Sequence, residues 1–135
     1  MRFHHIAYMV ANTDETARSL ASFAPVKIVD RKPLEVQNAY ISVLGTAESG
    51  PFIELVEPFE NNSAMRKRLE KNAGDATPYH ICFSVRDFDS TLENLLAEGW
   101  LMVTRPFHGL LPGLRATHLY KRSAGMIEII EDPAL

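Results

Sequence analysis

Four side chains in this sequence have the chemistry of a divalent-metal site, and they come as two pairs. His5 lies in Phe3-His4-His5-Ile6-Ala7-Tyr8-Met9-Val10, and His80 lies in the similar Pro78-Tyr79-His80-Ile81-Cys82-Phe83-Ser84-Val85. Glu54 lies in Phe52-Ile53-Glu54-Leu55-Val56-Glu57, and Glu128 in Met126-Ile127-Glu128-Ile129-Ile130-Glu131. His80 follows His5 by 75 positions and Glu128 follows Glu54 by 74. Neutral imidazole and carboxylate together suit borderline divalent ions such as Zn, Ni, Co, Mn or Fe. A strand histidine taken alone reads as a satisfied polar residue, and a lone strand glutamate as the wet side of a half-buried strand. Recurrence at equivalent places in two repeats makes the four read as one set. His4 is set aside as a ligand because its repeat partner is Tyr79 and because alternation places it on the opposite strand face from His5. Cys82 pairs with Ala7 and reads as a buried small residue.

The elements that must position these residues also repeat. Residues 3–10 are apolar and β-prone with a period of two. Glu15 to Phe23 carries apolar residues at helical spacing, with Thr13 or Asp14 as the expected N-cap and Pro25 as the stop. Val26–Asp30, Val36–Leu44 and Pro51–Val56 read as strands, so the first half is βαβββ. Residues 59–77 form a connection with a short helix, whose basic run Arg66-Lys67-Arg68 reads as a solvated face. In the second half, Tyr79–Val85 is a strand. A helix from Ser90 to Glu98 follows, with Leu92, Leu95 and Leu96 on one face and Gly99 at a left-handed C-cap. Leu101–Thr104, Leu114–Tyr120 and Met126–Ile130 complete a second βαβββ. On the strands, His5 shares a face with Ala7 and Met9, and His80 with Cys82 and Ser84. A small residue therefore flanks each histidine and leaves room for a ligand.

The bulk properties narrow the function. The chain has 135 residues, 46% hydrophobic and 23% charged, with a net charge of -3. That suits one domain, residues 1–135, built of module one at about 1–58, a connection at 59–77 and module two at about 78–133. The net negative charge, with no basic stretch longer than Arg66-Lys67-Arg68, argues against nucleic acid as a partner. No apolar stretch reaches the roughly 18 residues of a membrane span. The sequence does not open on a signal-peptide pattern, and the single cysteine excludes an intramolecular disulfide. A cytoplasmic location is expected.

The duplicated βαβββ pattern with His5, Glu54, His80 and Glu128 resembles the vicinal oxygen chelate superfamily, which includes glyoxalase I, extradiol dioxygenases, methylmalonyl-CoA epimerase and bleomycin resistance proteins. The likeness runs from about residue 3 to 133. Locally it is closest to methylmalonyl-CoA epimerase, through Ile53-Glu54-Leu55-Val56-Glu57-Pro58, Leu69-Glu70-Lys71, His80-Ile81 and Met126-Ile127-Glu128. The resemblance implies an α+β fold in which two tandem βαβββ modules form a curved open-barrel mixed sheet with helices outside. It also implies a metal ion held by His5, Glu54, His80 and Glu128. In such proteins the metal chelates neighbouring oxygens and stabilises enolate-like charge as a C–H proton leaves. Several members are homodimers, so a homodimer is expected. Three stretches differ from the family pattern: Ser22-Phe23-Ala24-Pro25-Val26 after the first helix, the apolar Gly109-Leu110-Leu111-Pro112-Gly113-Leu114, and Lys121-Arg122-Ser123-Ala124-Gly125 before the last strand.

These readings point to a metal-dependent isomerase or epimerase of a carbonyl compound, such as methylmalonyl-CoA or another acyl-CoA. Epimerisation needs an acid and a base on opposite faces of one carbon. Glu35, near where epimerases carry such a carboxylate, and Glu128 are the candidates. Gln37, Asn38, His108 and Leu111 are the candidate substrate contacts. His108 and His118 lack repeat partners and read as pocket or surface residues. The alternatives are a glyoxalase-I-like lyase, or a non-catalytic protein that binds a small molecule or antibiotic, like the bleomycin-sequestering members.

Overall fold

The computed structural model describes residues 1–110 and 114–135. The chain divides into two compact units, one comprising His5–Tyr79 and the other Met1–His4 with His80–Leu135. Strand β1, Arg2–Met9, contributes to both.

The first unit continues from β1 into helix α1 (Thr13–Leu20), β2 (Val26–Leu34), a one-turn 3-10 helix (Glu35–Gln37), β3 (Ala39–Gly45), β4 (Phe52–Pro58) and helix α2 (Ser63–Lys71). Its strand order is β2-β3-β4-β1. The β2-β3 and β3-β4 pairs are antiparallel and β4-β1 is parallel. A parallel partner needs a long crossover, which α1, β2 and β3 supply. The buried Val10, Ala24, Leu44 and Leu55 form the core on the helix side, with Tyr8, Ala17, Leu20 and Ile53 packed against them. The apolar sides of β1, β3 and β4 thus lie under α1, as alternation requires.

The second unit holds β5 (Thr77–Val85, from His80 on), helix α3 (Phe88–Ala97), β6 (Leu101–Met102), β7 (Phe107–His108), β8 (Arg115–Lys121) and β9 (Gly125–Glu131). From the first residues of β1 the order runs β5-β9-β8-β6, with β7 also on β8. Again the histidine-bearing and glutamate-bearing strands are parallel, and the hairpin strand is antiparallel. Val85, Phe88, Leu92, Leu119 and Ile129 form its core, with Leu95 and Trp100 packed on it. Leu96 is exposed.

The mixed α+β class and the two βαβββ orders are those expected, with β7 added to the second. Several boundaries differ for local reasons. The α1 cap is Asn12, whose side chain accepts from Glu15 N–H at 2.9 Å. Asp87, the matching residue of the second half, accepts from Ser90 N–H at 3.0 Å. Strand β2 runs past Asp30 through register irregularities between Lys27 and Lys32. Arg31, at φ 45°, marks the second of them. The start of the expected Val36–Leu44 strand is instead the 3-10 turn. In the basic run, Arg66 is not merely solvated. It donates to the carbonyls of Phe59 at 2.8 Å and Pro58 at 2.9 Å, closing the end of β4. Gly99 is left-handed at φ 89°, as a C-cap requires. Among the described residues, no helix is long and apolar enough to cross a membrane.

Candidate metal centre

Each unit carries one histidine–glutamate pair in the same strand register. In the first, Ala7 of β1 stands opposite Glu54 of β4. In the second, Cys82 of β5 stands opposite Glu128 of β9. The histidine lies two residues before the small residue in both cases, so imidazole and carboxylate share a face. Ala7 and Cys82 are fully buried.

The side chains meet as the register directs. His5 Nε2 lies 3.8 Å from Glu54 Oε2. His80 Nε2 lies 3.0 Å from Glu128 Oε2. The glutamate side chains are only 13% and 6% exposed. Burying a carboxylate is costly without a partner, because its hydration is lost. Each pair, the second buried and the first partly so, sets an imidazole Nε2 near a carboxylate oxygen, the donor types that borderline divalent cations take. On donor chemistry and burial, the residues fit such an ion.

The strand order also brings in a residue that sequence reasoning put in a pocket or on the surface. His118 of β8 stands directly opposite Glu128 and is 1% exposed. Its Nε2 is 4.0 Å from Glu128 Oε1, and its ring meets that of His80 edge-on at 4.9 Å. Phe107 stacks on it at 5.6 Å. The only sequence signal was alternation along β8, which puts His118 on the face of Ala116.

The other candidate residues lie elsewhere. Glu35 is exposed and opens the 3-10 turn. Asn38 ends that turn in the left-handed region at φ 51°. Its carbonyl accepts from Phe59 N–H and Asn62 Nδ2, each at 3.0 Å. Asn38 therefore fixes the backbone that carries Glu35. The Gln37 carbonyl accepts from Asn62 Nδ2 at 3.4 Å, and its side-chain Oε1 is buried without a partner among the described residues. His108 is exposed on β7, in register with Arg115. Leu111 lies outside the described residues. Arg115 is engaged by Glu131 at 3.0 Å and by Asp89 at 2.9 and 3.1 Å. Its hydrogen bonds, first to Glu131 and then to Asp89, push the guanidinium pKa further up. The same bond to Arg115 holds the Glu131 carboxyl below its ordinary value.

Several solved structures share this fold. A hypothetical protein from Bacillus halodurans C-125 matches at 22% identity and TM-score 0.79, over 97% of this chain and 94% of that one. Methylmalonyl-CoA epimerase from Mycobacterium tuberculosis matches at 21% and 0.81, over 99% and 89%. A Streptomyces coelicolor methylmalonyl-CoA epimerase variant in complex with 2-nitronate-propionyl-CoA matches at 23% and 0.76, over 99% of both chains. Among curated proteins, none matches this sequence. The model of the glyoxalase/bleomycin resistance protein/dioxygenase superfamily matches residues 4–117. With its two βαβββ halves, the chain belongs to that superfamily.

Proposed function

We propose that this protein is a divalent-metal-dependent isomerase or epimerase of a carbonyl compound, with an acyl-CoA such as methylmalonyl-CoA as the substrate class. His5, Glu54, His80 and Glu128 together would hold the ion. The observation that carries this reading is the repeated half-site: a carboxylate, buried in one unit and partly buried in the other, near an imidazole Nε2, at one register position in both units. When bound, a Zn, Ni, Co, Mn or Fe ion supplies Lewis acidity to substrate oxygens.

The chain's own residues account for the rest. His5 and His80 offer imidazole lone pairs, and Glu54 and Glu128 offset the ion's charge in a dry setting, where charge interactions are strong. Glu35 and Glu128 are assigned the proton transfers, one removing the C–H proton and the other returning one from the opposite side. Glu35 suits this because it is open to solvent yet carried on a turn pinned through Asn38. Gln37, Asn38, His108 and Leu111 are assigned to substrate contact. Support for the substrate class comes from the epimerases of similar fold, one of which is complexed with a CoA thioester analogue. A single 1–135 domain, a homodimer and a cytoplasmic setting complete the proposal.

The test is metal analysis of the purified protein, then exchange of substrate C–H for deuterium with a panel of acyl-CoA esters. Stoichiometric metal with metal-dependent exchange is expected, and Glu35→Gln should abolish epimerisation while leaving metal content intact. No bound or bindable divalent metal would sink the reading. Metal with hemithioacetal turnover but no acyl-CoA exchange would replace it with a lyase. Tight antibiotic binding that Glu128→Ala leaves unchanged would replace it with a sequestering protein.

A further inference from the structure

The two half-sites are equal by repeat but not by surroundings. The residue opposite Glu54 is Val43, whose side chain offers no hydrogen-bond donor. The residue opposite Glu128 is His118. We infer that His118 is a positioning residue for Glu128: it presents an Nε2–H to Oε1 and leaves Oε2 to the His80 side. This rests on the metal-centre reading above.

The argument starts at Thr104. Its hydroxyl oxygen accepts from the His118 backbone N–H at 2.9 Å and lies 3.2 Å from His118 Nδ1. We assign the hydroxyl's one hydrogen to Nδ1, the tautomer in which that nitrogen is the acceptor. The neutral ring then carries its proton on Nε2, the atom 4.0 Å from Glu128 Oε1. That is about 1 Å longer than a hydrogen bond, and the terminal torsion of a glutamate is broad enough to close it. Thr104 is itself held, because its carbonyl accepts from Thr117 Oγ1 at 2.6 Å. Phe107 covers one face of the His118 ring. The imidazole is thus pinned by a hydroxyl at one nitrogen and by an aromatic face, and aimed at the carboxylate with the other nitrogen. Outer partners of this kind orient ligands and raise metal affinity.

The probe is Co2+ alone, followed by its visible spectrum and by competition against a chelator, with no substrate present. His118→Phe keeps the ring bulk and removes the donor. It should weaken Co2+ binding by about 10-fold or more. His118→Gln places an amide N–H where Nε2 stood and should recover most of that affinity. Thr104→Val should weaken binding in the same direction, through the tautomer. Parent-like affinity in both His118→Phe and Thr104→Val overturns the inference. So does equal weakening in His118→Phe and His118→Gln, which assigns His118 to packing. If His118→Phe does not fold, recovery in His118→Gln with loss in Thr104→Val supports the inference, and a parent-like Thr104→Val overturns it. Failure of the parent itself to bind Co2+ refutes the metal centre, and this inference with it. Binding by the parent with unmoved variants refutes the inference alone.

Discussion

Glu128→Gln separates the metal role of this residue from any structural one. In the metal-free chain the change is mild. The Glu128 side chain is 6% exposed and its Oε2 sits 3.0 Å from His80 Nε2. Glutamine has the same shape and keeps an oxygen on the His80 side, and removing a buried charge offsets the NH2 it turns toward His118. Metal-free stability should therefore move by no more than about 1 kcal/mol. The metal-dependent part behaves otherwise. An ion at 100 times its Kd stabilises the parent by ~2.7 kcal/mol through preferential binding to the folded state. If the lost carboxylate lowers affinity about 100-fold, the same concentration equals Kd for the variant, and the gain falls to about 0.4 kcal/mol. For a chain of 135 residues, each kcal/mol moves Tm by about 3–5 °C. Thermal unfolding with and without Zn2+ or Co2+ should then show a rise of about 10 °C in the parent and about 2 °C in Glu128→Gln. Equal rises in both proteins would refute the assignment of Glu128 as a ligand. A variant that is much less stable without metal would instead make Glu128 a structural residue.

Three further outcomes follow from the geometry. Phe88 is 1% exposed in the second unit's core, so Phe88→Ala should cost about 3–5 kcal/mol in urea unfolding; a loss below about 1 kcal/mol would contradict that packing. At Asn38, φ 51° disfavours a β-branched side chain, so Asn38→Val should lose about 1–2 kcal/mol while Asn38→Gly stays near parent; equal stabilities would show that the turn relaxes. Glu131 is held below its ordinary value of 4.5, first by its hydrogen bond to Arg115. A lowered carboxylate adds stability that is complete above its unfolded value and is lost as pH falls through the folded one. Arg115→Met should therefore remove stability at neutral pH and flatten its decline below about pH 4.5; an unchanged acid-unfolding profile would place the Glu131 interaction elsewhere.

Much of this protein is legible along the chain, because the signals are local. Alternation marks β1, β5, β4 and β9, and the repeat pairs His5 with His80 and Glu54 with Glu128. Residues that place apolar groups every three or four positions mark α1 and α3, and Gly99 marks where α3 stops. Other features depend on which strand lies beside which. His118 has no repeat partner, and only the β8–β9 register sets it against Glu128. The cap of α1 is Asn12, before the expected Thr13 or Asp14, because the side chain that accepts the Glu15 N–H is decided by backbone geometry at the entry. Arg66 reads as one charge in a basic run, yet its guanidinium closes the end of β4, whose carbonyls come within reach only after the chain turns at Phe59–Asn62. Asn38 reads as a polar pocket residue, and its left-handed backbone and carbonyl partners make it the pin of the Glu35 turn. The sequence by itself determined the residue types of the half-sites and the spacing that puts each pair on one strand face, since both follow from side-chain chemistry and a period of two. The tertiary structure alone decided which neighbour each carboxylate meets across the sheet, because strand register is set by the packing of residues far apart in the chain.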